Sequence, residues 1–141
     1  MAEIKTLYAT PQALTVTGLG TLANAASVVS NAVSNNTDKY LDALVFLTVQ
    51  TGGSATATGV VEVYVKASHN NVDFDDDYND KWVGTLVVGV AGAQTRLRGM
   101  SIASGFQGTM PNYWKIRIRN ASGAALTDAS VTYQGVSGQS V

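Results

Sequence analysis

The sequence predicts an all-β fold: an antiparallel β-sandwich, an eight-stranded jelly roll, with an extended N-terminal arm. Three observations carry this. Short apolar or alternating segments recur along the chain, at the roughly 8–12-residue spacing of a sandwich or barrel. Clusters of Gly, Ser, Thr and Asn separate them, and these residues supply turn geometry. Convincing helical periodicity is missing. Eight antiparallel strands is the count of a jelly roll. An immunoglobulin-like sandwich stays open, because strand order is invisible in a single sequence.

The elements follow in order. Residues 1–12 read as an extended arm, and 13–38 as part arm and part strand, with ALTVTG (13–18) and ASVVSNAV (26–33) as possible first strands. The predicted boundary between arm and sandwich core is 39/40, so the core spans 40–141. LDALVFLTVQT (41–51) is the strongest apolar run: Leu41, Ala43, Val45, Leu47 and Val49 point one way, Leu44 and Phe46 the other. A strand covered on both sides reads like this. VVEVYVKAS (60–68) alternates, with Val61, Val63, Val65 and Ala67 on one face and Glu62, Tyr64 and Lys66 on the other. With the run before it, it predicts a long antiparallel hairpin tipped by GGSATATG (52–59). WVGTLVVGV (82–90) and AQTRLRGMSI (93–102) are joined at AG. YWKIRIRN (113–120) turns Trp114, Ile116 and Ile118 inward and Lys115, Arg117 and Arg119 outward. SVTYQGV (130–136) is the last strand.

Composition narrows the function. The chain has 141 residues, enough for one domain with a core. Charged residues are 13%, against about 25% ordinarily, so small polar residues cover the surface. That suits turn-rich β-structure or surface buried in an assembly. A net charge of −1 offers no global field to draw nucleic acid. There are no cysteines, which removes disulfides, thiol nucleophiles and thiolate zinc sites. No secretory h-region and no apolar run of about 18 residues is present, so no membrane partner is expected.

Four phrases are familiar: YLDALV (40–45), GVVEVYVKAS (59–68), PNYWKIRIRNASGAAL (111–126) and YQGV (133–136). Together they resemble small virion structural proteins of tailed bacteriophages, of the jelly-roll capsid decoration or cement type. The resemblance implies a non-enzymatic virion protein, assembled in the host cytoplasm. Its implied partners are the major capsid protein and copies of itself, with a homotrimer expected. It covers about residues 40–136 and supplies no site residues.

The residues themselves nominate two charged groups. Asp73, Asp75, Asp76, Asp77 and Asp80 are half of the ten acidic residues. From Asp73, the offsets of an EF-hand loop hold at Asp73, Asp75 and Asp77. They fail at Tyr78, where Gly belongs, and at Gly84, where Glu belongs. A looser cation site, a solvated loop and an intersubunit salt contact remain as readings. The expectation is action by charge at a surface, with no required metal, so that Asn at 75–77 would barely change stability. Arg96, Arg98, Lys115, Arg117 and Arg119 are five of nine basic residues. Their period-2 spacing places each group on one strand face, forming one basic patch if the strands are neighbours. Nucleic acid would ask for interleaved exposed aromatics, and Trp114 belongs to the opposite face. His69 is the one histidine, and no GxSxG, HExxH or GxxxxGK[ST] occurs. No catalytic residue, cofactor or metal is assigned. The predicted function is a structural virion protein that binds and stabilises a phage head lattice. The alternative is a carbohydrate- or receptor-binding module of a tail or fibre.

Overall fold

A computed structural model describes residues 3–52, 59–88 and 94–140. The turn residues 53–58 and the AG junction lie outside them. So do the side chains of Gln94, Leu97, Arg98 and Ser140.

Among the described residues ten strands form two antiparallel sheets. The first holds β1 (Ile4–Tyr8), β2 (Gln12–Ala13), β5 (Asp42–Thr51), β8 (Gln94–Ser101) and β10 (Leu126–Ser140), in the order β1-β10-β5-β8 with β2 also on β10. The second holds β3 (Ser27–Val29), β4 (Val33–Ser34), β6 (Val60–Ser68), β7 (Lys81–Val87) and β9 (Tyr113–Ala121), in the order β3-β9-β6-β7 with β4 also on β9. Since β1 and β2 share one neighbour, and β3 and β4 another, there are eight strand positions. Following the chain, each position crosses to the other sheet except β6 to β7, which are paired neighbours. This alternation is the jelly-roll connectivity predicted from strand count.

Two expectations about pairing change. The long hairpin of 41–51 with 60–68 does not form: β5 pairs β10 and β8, while β6 pairs β7 and β9. Both strands present a buried apolar face, and packing those faces across the sandwich buries more than zipping their edges. The segment read as an arm lies along both sheets, since β1 and β2 extend the first and β3 and β4 the second. ALTVTG is not one strand: only Gln12–Ala13 pairs there, and Gly18 turns with a φ of 81°.

The core is the interlayer. Val45, Leu47, Val49, Val61, Val63, Val65, Trp114, Ile116 and Ile118 are at most 1% exposed, the inward period-2 set of β5, β6 and β9. Trp114 meets Tyr133 edge-on, with ring centroids 5.5 Å apart. Leu41 is largely exposed, and Leu44 and Phe46 on the outer face are half-buried. At one corner Asn120 ties the layers. Its Nδ2 donates to the carbonyls of Leu22 (3.0 Å) and Ala124 (2.7 Å), and its Oδ1 accepts from the Ser122 amide and hydroxyl.

Candidate interaction surface

The two charged groups singled out above meet inside one chain. Residues 69–80 connect β6 to β7 and fold back over the outer face of the second sheet. On that face β6 and β9 place Lys66 opposite Lys115, Tyr64 opposite Arg117, and Glu62 opposite Arg119. The four cations Lys66, Lys115, Arg117 and Arg119 on one face would repel, and the aspartates offset this at Lys66 and Arg117.

The loop is built to arrive there. Asn70 Oδ1 accepts from the amides of Val72 and Asp73, and Ser68 Oγ from those of Asn70 and Asn71. Asn71 takes a φ of 62° to make the turn. Asp75 then pairs with Ala67 twice. Its amide donates to the Ala67 carbonyl (3.1 Å), and its Oδ2 accepts from the Ala67 amide (3.0 Å).

Each aspartate has its own position. Asp80 is the anchor: its carboxylate is 2% exposed and takes a two-pronged bond from Arg117, at 2.6 Å to Nε and 3.1 Å to Nη2. Asp77 accepts from Lys66 Nζ at 2.5 Å, and Lys66 also donates to the Asp75 carbonyl. Asp76 Oδ1 gathers the Tyr78 and Asn79 amides and the Asn79 side chain. Asp73 Oδ2 accepts from Asn70 Nδ2. Among the described residues no cluster suited to hold a metal forms.

Two ring contacts complete the face. Arg117 lies 4.2 Å above Tyr64, and Lys115 lies 4.2 Å from the centre of Phe74, both cation–π distances. Arg119 pairs with Glu62 at 3.3 Å, half-exposed. The electrostatics follow. The Asp80 carboxylate raises Arg117 above the ordinary arginine value. The Lys66 ammonium lowers Asp77 below the usual carboxylate range. Burial, then the bond to Glu62, raises Tyr64.

Thus Lys115, Arg117 and Arg119 do point outward, but Arg117 is covered. Arg96 and Arg98 do not join them: both belong to β8, in the other sheet. Lys66, Tyr64 and Phe74 were not nominated from sequence. Lys66 and Tyr64 share the outer face with Glu62 in the VVEVYVKAS alternation, which is the signal that could have found them.

At one end of the sandwich two open depressions meet at Asn112. One, of about 430 Å³, is lined by Asn35, Asn36, Tyr40 and Met110 among others. The other, of about 390 Å³, is lined by His69, Asp73, Phe74 and Pro111 among others.

No family model matches the chain, and no curated protein does. Solved structures do. A chain of infectious bursal disease virus, Gx strain, superposes with a TM-score of 0.51 at 11% identity, over 96% of this chain and 32% of that one. BuGH86, solved in complex with neoagarooctaose, gives 0.53 at 10% identity, over 99% of this chain and 20% of that one. This chain therefore spans a third or less of the length of either. At such identity the likeness is one of fold: a two-sheet β-sandwich that a virus chain and a sugar-complexed protein share.

Proposed function

We propose that the chain is a non-catalytic structural protein of a tailed-phage particle, decorating the head and bridging its lattice. One observation carries the reading. The strongest ionic groups pair with each other inside the chain, Asp80 and Asp77 with Arg117 and Lys66. Charged residues are only 13% of the chain, and its exterior also carries apolar side chains such as Val72, Trp82 and Val87. Such a surface suits broad contact with repeated protein subunits. The sequence phrases that resemble decoration proteins support it, and the virus chain of the same fold is compatible with it.

The experiment is co-sedimentation of the purified protein with heads purified without it. Saturable binding, with a fixed number of copies per head and greater resistance of the heads to heat, supports the proposal. Protein left wholly in the supernatant at all ratios refutes it.

A second reading rests on the paired depressions. Asn35, Asn36, Tyr40 and Asn112 bring amides and an aromatic ring together, groups that suit neutral polyols. A glycan panel read by calorimetry separates the two: retention of one sugar class, abolished by Tyr40→Ala, favours the binding module.

A further inference from the structure

The edges of the two sheets are not alike. β8 carries an extra residue opposite β5, between its pairs with Val45 and Leu47, and Gly99 there has a φ of 73°. β7 carries an extra residue at Val83, between its pairs with Val63 and Tyr64. β3 and β4 are three and two residues long. Bulges and short strands protect sheet edges from pairing with other chains. β1 has neither. Its five residues run in unbroken register with β10, from Ile4 opposite Ser140 to Tyr8 opposite Val136, and all five are exposed.

β1 also projects. The pairing of β10 with β5 stops at Val136 opposite Asp42. Beyond it, residues 137–140 pair only with β1 among the described strands. A two-stranded ribbon is marginal alone in water. This one carries Ile4 at 81% exposure and Tyr8 at 62%, with Leu41 at 65% beside it. Ile4 and Leu41 both lie over Gly138, where a Cβ would stand 3.4 Å and 3.6 Å from their methyl carbons.

We propose that β1 is a docking edge occupied by β1 of a second copy, pairing antiparallel about a two-fold axis at Thr6. An unpaired strand edge presents a row of amides and carbonyls that another extended strand can pair. Among the described strands, β1 is the one with a regular, unbulged outer edge of more than three residues. The sequence IKTLY is self-complementary in this register. Ile4 faces Tyr8 of the second copy, an aromatic–β-branched pair, and Thr6 faces Thr6, both favoured across strands. Lys5 faces Leu7. The two Lys5 residues sit diagonally, about 7–8 Å apart at the backbone, so added salt tightens the dimer by screening their like charges. The inference does not rest on the particle reading, since it concerns the protein alone in solution.

The test is sedimentation equilibrium of the full chain, with circular dichroism as the fold control. The wild type is expected to form a concentration-dependent dimer, strengthened by salt. Thr6→Lys and Thr6→Glu, each placing like charges opposite one another, lose the dimer. Their equimolar mixture regains it as a heterodimer. Ile4→Ser together with Tyr8→Ser loses it without added charge. A wild-type monomer at the highest concentrations overturns the proposal. So does a trimer, the assembly expected from sequence, and so does a dimer that survives all these substitutions.

Discussion

Asp80 shows what a surface-looking residue can become. In sequence it closes a polar stretch; in the fold its carboxylate is nearly sealed against Arg117. Removing one member of a buried pair leaves the other charge uncompensated, at a cost of about 3–5 kcal/mol. Asp77 remains 3.7 Å from Arg117 and Tyr64 lies beneath it, so Asp80→Asn is expected at the low end, about 3 kcal/mol. Urea denaturation measures it, and Asp73→Asn, exposed and bonded only to Asn70, should stay within about 0.5 kcal/mol. Acid gives a second check. The folded-state value of Asp77 is lowered by Lys66. Its stabilisation is therefore complete above the ordinary carboxylate pKa and is lost as pH falls through the lower folded value. The wild type should lose stability over that acidic range that Asp77→Asn does not lose; superimposable pH profiles would refute the role of the pair. The sequence expectation that Asn at 75–77 would barely matter is revised here, because Asp75 holds the Ala67 amide and Asp77 holds Lys66.

The strands divide into those legible in sequence and those not. β6 and β9 were plain, because their alternation is unbroken and buries Val61, Val63, Val65, Trp114, Ile116 and Ile118. β1 to β4 were faint. They are short edge pieces whose residues are mostly exposed, so no burial pattern is written into them. The partner of β5 was misread, because alternation states which face is buried and not which strand lies alongside. The loop's docking was invisible for the same reason: Asp80 and Arg117 are 37 residues apart. Two glycines mark where strands and connections touch. A Cβ at Gly59 would fall on the Ser122 backbone, and one at Gly135 on the Tyr40 ring. Gly59→Ala is expected to cost about 3 kcal/mol, since backbone must move, and Gly135→Ala about 1–2 kcal/mol, since a side chain can swing. Asn120→Ala removes the buried side-chain bonds to the Leu22 and Ala124 carbonyls and from the Ser122 amide and hydroxyl and should lower the thermal midpoint more than Asp73→Asn does. A reversed order in calorimetry would contradict this packing.

Taken as one body, the protein is a jelly roll that pairs part of its charge internally. The acidic loop was read from sequence as acting by charge at a surface. Within the chain two of its aspartates, Asp77 and Asp80, pair with Lys66 and Arg117, and the chain as a whole carries a net charge of −1. That makes weak dependence on salt an expected property of lattice binding: raising ionic strength should reduce co-sedimentation with heads only slightly, whereas attachment through opposite charged poles would be lost steeply. The proposed role stands or falls on location. Cryo-electron microscopy of the virions made in cells that produce this chain is the direct measurement. The account predicts jelly-roll density at repeated positions on the outside of the head, fitting this fold and missing from particles made without the gene. Heads bare at every lattice position, with the chain found elsewhere or not at all, would contradict it.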